Sequence, residues 1–108
     1  MSFDAYDRSV DLLRTLAPLI TSVAAHDSSL ADQLRRAAAS APLNVAEANR
    51  RNGRDRANRY RIALGSAAEV AACLDVAVAL GYIDEVRVAD ALGLIDRVRA
   101  MTYRLSRP

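Results

Sequence analysis

Apolar residues recur along the chain at alternating spacings of three and four in four successive blocks, the period that lines one face of a helix. The pattern predicts four amphipathic helices and no sheet. In the first block Tyr6, Val10, Leu13, Ala17, Ile20 and Ala24 form the apolar stripe, widened by Leu12, Leu16 and Val23. Because the stripe keeps its phase across Pro18, that proline is expected to bend the helix rather than end it. Ala25 to Ser29 reads as a turn, with Ser28 or Ser29 capping a second helix that begins near Ser29. The second block sets Leu30, Leu34, Ala37, Ala41, Val45 and Ala48 on an apolar stripe, and Gln33, Arg36, Ser40, Asn44, Glu47 and Arg51 on a separate polar one. Pro42 removes a backbone donor inside this helix, so a kink is expected, with Ser40, Asn44 or water meeting the carbonyl one turn back. Asn52-Gly53 is the stop signal.

The third helix should open around Asp55 and stop at Gly81, with Tyr60, Ala63, Ala67, Val70, Leu74 and Ala77 on its stripe and Leu64, Ala71 and Val78 beside it. Between Ala67 and Leu80, 12 of 14 residues are apolar. Such a helix is hydrophobic nearly all round and has more to bury than one neighbouring layer covers, which argues for a subunit interface. A helix wholly central to a monomer is the competing explanation, but a four-helix bundle gives every helix an outer face. Asp84 is the expected cap of the fourth helix, whose stripe runs Val88, Ala91, Leu92, Ile95, Val98, Met101, Thr102 and Leu105.

Helices of about 20 to 25 residues joined by a few residues must run antiparallel to their neighbours. The fold class is therefore all-α, an antiparallel up-down-up-down four-helix bundle formed as one domain by residues 1–108. The 22 alanines and the absence of Trp let helix axes approach closely. One cysteine, Cys73, excludes an internal disulfide and suits a reducing compartment, and the start Met1-Ser2-Phe3-Asp4 does not read as a secretory signal, so a cytoplasmic location is expected. Glu69 and Asp75 interrupt the most apolar stretch, Ile62 to Ile83, and no membrane span is expected.

Charge changes the picture more than composition does. All 15 basic residues are Arg. Eight of them, Arg35, Arg36, Arg50, Arg51, Arg54, Arg56, Arg59 and Arg61, fall in one window whose only acids are Glu47 and Asp55, giving +6 (8 − 2) there and −4 (7 − 11) elsewhere. Guanidinium forks suit bidentate contact with phosphate, although a genome rich in Arg codons would leave the same mark. Arg50 and Arg51 also suit the negative end of the second helix dipole, a structural reason that Arg56, Arg59 and Arg61 lack. Two readings of the cluster stand side by side: a polyanion site, or a solvated surface engaged in salt bridges between subunits. Asn44, Glu47 and Glu69 offer partners to Arg36, Arg51 or Arg61 within or between subunits.

Catalytic chemistry has little to work with. The one histidine, His26, is preceded at the Glu-x-x-His spacing by Val23, so a ferritin-like metal site cannot form. No phosphate-cradling glycine loop, zinc-ligand cluster or Ser/His/Asp set is available, and Cys73 sits in an apolar run as a structural thiol. The expectation is no enzyme, no metal and no cofactor.

The run Gln33-Leu34-Arg35-Arg36-Ala37-Ala38, then Ser40, Pro42, Asn44, Val45, Ala46 and Glu47, then Arg61-Ile62-Ala63-Leu64-Gly65-Ser66, Glu69 and Leu80-Gly81-Tyr82-Ile83, resembles the "four helix bundle protein" family. That family includes proteins encoded in intervening sequences of 23S rRNA genes. The resemblance implies a small antiparallel bundle assembling into a ring-like homopentamer with no established enzymatic activity. It also implies a link to accessory proteins of diversity-generating retroelements, which bind nucleic acid and a reverse transcriptase through a basic surface. Arg35, Arg36, Ser40, Asn44, Glu47, Gly65, Ser66 and Glu69 match the family pattern and look mainly like fold and assembly positions. The chain departs from the pattern at Ala48, where glycine is usual, in a shorter loop before the third helix, and at Arg56 and Arg59, where aromatics are common. The leading expectation is a non-enzymatic homo-oligomer whose Arg-rich corner binds RNA or DNA backbone without base specificity. The runner-up is a protein-binding or scaffolding oligomer with no nucleic-acid ligand.

Overall fold

A computed structural model describes residues 3–107; Met1 and Ser2, which open the stretch read above as no secretory signal, and Pro108 lie outside the described residues. Four helices are present, α1 Phe3–Ala24, α2 Ser28–Ala48, α3 Gly53–Ala79 and α4 Glu85–Ser106, and there is no strand among the described residues. α2 packs between α1 and α3, and α4 closes the ring against α3 and α1. With connectors of only a few residues and a longest dimension of 43 Å, neighbouring helices run antiparallel along their full length.

The apolar stripes of α2, α3 and α4 face inward as their spacing requires. Tyr60, Ala63, Ala67, Val70, Leu74 and Ala77 of α3 are all buried, as are Val88, Ala91, Ile95, Val98 and Thr102 of α4. α1 departs from expectation by one residue. Its buried face is Ala5, Ser9, Leu12, Leu16, Leu19 and Val23, whereas Tyr6, Ala17 and Ala24 are exposed. The neighbouring stripe contains Ser9, which looks unfit for a core until its hydroxyl is seen donating to the Tyr6 carbonyl at 2.8 Å. Buried Thr102 is satisfied in the same way by the Val98 carbonyl at 2.7 Å.

Helix ends differ from the sequence reading in instructive ways. The N-cap of α2 is Asp27, not Ser28 or Ser29: its Oδ1 accepts the Leu30 N–H at 3.0 Å. Its Oδ2 accepts the Tyr82 hydroxyl at 3.2 Å, and the Tyr82 ring stacks on exposed His26 with centroids 5.2 Å apart. One carboxylate thus caps a helix and ties the α1–α2 turn to the α3–α4 turn. Burial, and then the Asp27 charge, hold the Tyr82 phenol above its ordinary range. Asp27→Ala should cost about 1–2 kcal/mol, a fall of roughly 4–8 °C in Tm per kcal/mol by circular dichroism, while Asp27→Asn should keep most of the cap. An unchanged Tm in Asp27→Ala would show the tie to be idle.

α3 ends as predicted before Gly81, whose φ of +77° allows the Tyr82 N–H to reach the Ala77 carbonyl (2.9 Å) and its own N–H to reach that of Val78 (3.0 Å). Pro18 and Pro42 lie inside unbroken helices. Pro42 leaves the Ala38 carbonyl without its helical donor. The Asn44 amide instead serves Ser40, donating to its carbonyl (2.9 Å) and approaching its hydroxyl (3.0 Å), so the expected repair is displaced by two residues.

By length and composition alone α3 is long and apolar enough to cross a membrane, despite Glu69 and Asp75, a test that the core helix of a bundle also passes. In the bundle its inner face meets α2 and α4, leaving Val76 and Leu80 exposed beside Glu69 and Asp75.

Candidate nucleic-acid interface

The up-down path brings the start of α1, the end of α2, the start of α3 and the end of α4 to one end of the bundle. A small apolar cluster holds that end together: Ala5, Val45, Ala48, Tyr60 and Ala63, with Met101 and Leu105 against it. Tyr60 is its only large buried side chain, and its hydroxyl donates to Asn49 Oδ1 at 2.7 Å, fixing α3 to the residue after α2. Burial raises the Tyr60 phenol above its ordinary range, opposed by the charge of Arg56.

Six of the eight arginines singled out by the sequence gather here. Arg56 turns back on the end of α2, its Nε donating to the carbonyls of Arg51 (2.8 Å), in the connecting loop, and Ala48 (3.3 Å), which also accepts the Arg51 N–H at 3.0 Å, so it ties the start of α3 to the preceding turn. Arg59 reaches Asn44 Oδ1 at 3.4 Å, and Arg61 reaches the Ser106 carbonyl at 3.3 Å. Arg51 donates to Glu47 Oε1 at 3.0 and 2.7 Å and lies 3.5 Å from Asp55. Exposed Arg50 and Arg54 make no hydrogen bond or ion pair among the described residues. Both acids of the window are therefore paired with Arg51, and none of the remaining five makes an ion pair among the described residues, although the charges of Arg50 and Arg59 also reach Glu47.

Arg35 and Arg36 are not brought to this cluster. They lie about 22 Å along α2 from Arg50, given the rise of 1.5 Å per residue. Arg35 pairs with Asp32 on the same helix, and Arg36 lines a separate depression with Ser29, Asp32, Gln33 and Glu69. Conversely, Arg107 joins the cluster from the far end of the sequence. Together with Arg54, Arg56 and Arg61 it rims an open cleft of about 1050 Å³ floored by Ala57 and Leu105. The up-down topology was the signal that could have found it, because it places residues past 100 next to residues 53–61.

The remaining polar positions divide. Ser40 and Ser66 meet across α2 and α3 with hydroxyls 2.7 Å apart, and Asn44 joins them, so these three form one interhelical network. Gly65 lies on the α3–α4 side instead, with open space where a Cβ would stand. Cys73 is buried, and burial followed by the Glu69 charge raises its thiol pKa, which disfavours the reactive thiolate. No group of three His, Cys, Asp or Glu side chains able to hold a metal comes together among the described residues.

The hydrogen bond from Arg51, followed by its charge, lowers the Glu47 carboxyl below its ordinary 4.5. A depressed acid contributes stability that is present above its unfolded pKa and lost as pH falls through the folded one. Glu47→Gln should therefore be less stable than the parent at neutral pH, with the gap closing as pH drops below about 4. A gap that is constant with pH in urea titrations would mean that the ion pair is not responsible.

Over residues 1–104 the chain matches the family model described as "23S rRNA-intervening sequence protein". A solved structure of a protein of unknown function from the S23 ribosomal protein family of Bacteroides thetaiotaomicron VPI-5482 superposes with a TM-score of 0.86 at 19% identity, covering 96% of this chain and 99% of that one. At that identity the likeness speaks for the helical fold alone. No curated protein sequence matches the chain.

Proposed function

The chain belongs to the 23S rRNA-intervening sequence protein family, and from that premise we propose that it is a non-enzymatic, self-associating bundle whose arginine-rich end binds the phosphate backbone of nucleic acid. One observation carries this reading. Arg50, Arg54, Arg61 and Arg107 converge at one end of the bundle, none of them paired with a carboxylate among the described residues, while Glu47 and Asp55 are engaged by Arg51. Uncompensated guanidinium groups at such spacing release phosphate counterions on binding, so affinity for an RNA strand should fall steeply with salt. Titration of a fluorescent RNA at several salt concentrations tests it, and a salt-independent or undetectable interaction would leave the arginines without a ligand.

Self-association is supported separately by exposed Leu43, Val76, Leu80 and Val86, which are 67%, 45%, 56% and 85% accessible in the single chain. Light scattering should give a multiple of 11.7 kDa, a homopentamer being the assembly expected, and a mass near 11.7 kDa itself would refute it. The same surfaces would serve the second reading, a scaffold for another protein such as a reverse transcriptase, which predicts no RNA binding at physiological salt.

A further inference from the structure

The cleft lined by Arg54 and Arg107 has a neighbour between the same two helices. A second depression of about 420 Å³ follows it along the same α3–α4 seam, lined by Leu64, Gly65 and Ala68 from α3 and by Asp96, Arg99 and Tyr103 from α4. Arg61 of the first and Leu64 of the second are three apart on α3, so the two depressions adjoin on one face of that helix. From Gly53 to Ala68 the seam runs about 22 Å along the helix. Its cations are Arg54, Arg56, Arg61, Arg99 and Arg107, of which Arg56 is bonded to backbone carbonyls, and Asp55 and Asp96 oppose them, Asp55 lying 3.5 Å from Arg51.

Tyr103 stands midway along this seam, 54% exposed, and the Arg107 guanidinium lies over its ring at 5.9 Å from the centroid. An exposed aromatic ring with a guanidinium over it, within a cationic groove, supplies what an unstacked nucleotide requires once that guanidinium swings from the ring to the phosphate: a surface for the base and a partner for its phosphate. The apolar floor of Ala57, Leu64 and Leu105 suits sugar and base better than a bare row of phosphates would. We infer that the α3–α4 seam is a track for single-stranded nucleic acid, with a base stacked on Tyr103 and the flanking phosphates held by Arg61 and Arg107. A duplex keeps its bases stacked inside and has none to offer Tyr103, so the track selects against it.

This inference rests on the backbone-binding reading, and its test separates the two. A short fluorescent oligouridylate and a blunt RNA duplex of equal length are titrated against the full chain. The single strand should bind about tenfold or more tightly than the duplex. Tyr103→Ala should weaken the single strand by about tenfold, and Tyr103→Phe, which keeps the ring, should bind as the parent does. Because the chain has no Trp, Tyr103→Trp supplies a single indole whose fluorescence the oligouridylate should quench and the duplex should not. Equal binding of both probes with unchanged Tyr103→Ala affinity would overturn the track and leave backbone binding standing. Binding of neither probe would overturn both.

Discussion

Replacing Arg50, Arg54, Arg61 and Arg107 together by alanine is expected to weaken RNA binding roughly 10²–10³-fold at about 0.1 M salt and to reduce the salt slope by roughly three. Each guanidinium–phosphate contact releases close to one counterion, so losing four contacts removes most of the electrostatic driving force at this end of the bundle. The choice of residues follows from what each arginine already does. Arg56 and Arg59 are bonded to groups of α2 and cannot be removed without disturbing the corner. Arg51 is engaged by Glu47 and Asp55, which raise its pKa further and compete with any phosphate. Arg50 and Arg54 make no hydrogen bond or ion pair among the described residues, Arg107 only overlies Tyr103, and Arg61 makes one long bond to a carbonyl, so the fourfold variant should fold. Arg35→Ala with Arg36→Ala, remote along α2, is the matched control and should change affinity by far less. If the control weakens binding as much as the fourfold variant does, the end of the bundle is not the site.

That contrast marks where the sequence stopped being legible. Helical position already set Arg50, Arg51, Arg54, Arg56, Arg59 and Arg61 together at one end of the α2–α3 hairpin, but the window of eight arginines also took in Arg35 and Arg36, which lie near the opposite end of α2. Arg107 was missed for the opposite reason: far away in sequence, it becomes a neighbour only when α4 comes back alongside α3, which the up-down topology implies and a window of sequence does not show. The helical faces of α2, α3 and α4 were readable because their apolar residues fall on one stripe each. α1 carries two adjacent apolar stripes: Leu12, Leu16 and Val23 were read only as widening the stripe of Leu13 and Ile20, and because the fully buried one includes Ser9, hydrophobicity alone ranked the two in the wrong order. The role of Arg56 could not be read at all: it depends on a tertiary approach between one helix start and the carbonyls of the preceding helix end.

The second large effect concerns what keeps that corner in place. Tyr60→Ala is expected to destabilise the fold by about 3–5 kcal/mol, a large part of the 5–15 kcal/mol that holds a typical domain together, and to lower Tm by more than roughly 10 °C. The reason is the make-up of the local cluster. Ala5, Ala48 and Ala63 are too small to fill the space left by a phenol ring, and Val45 alone cannot, so the cavity would persist unless partly buried Met101 and Leu105 collapse into it. Tyr60→Phe keeps the ring and loses only the bond to Asn49, so it should cost about 1 kcal/mol. The two variants thereby separate packing from the hydroxyl tie between α3 and the end of α2. Because Arg54, Arg56, Arg59 and Arg61 all leave from the turns of α3 around Tyr60, loss of the ring should also blur the cleft. Tyr60→Ala should then bind RNA more weakly even at temperatures where circular dichroism still shows full helicity. A Tyr60→Ala protein that melts within a few degrees of the parent, or that binds RNA unchanged, would mean that the arginine end is held by the larger core alone.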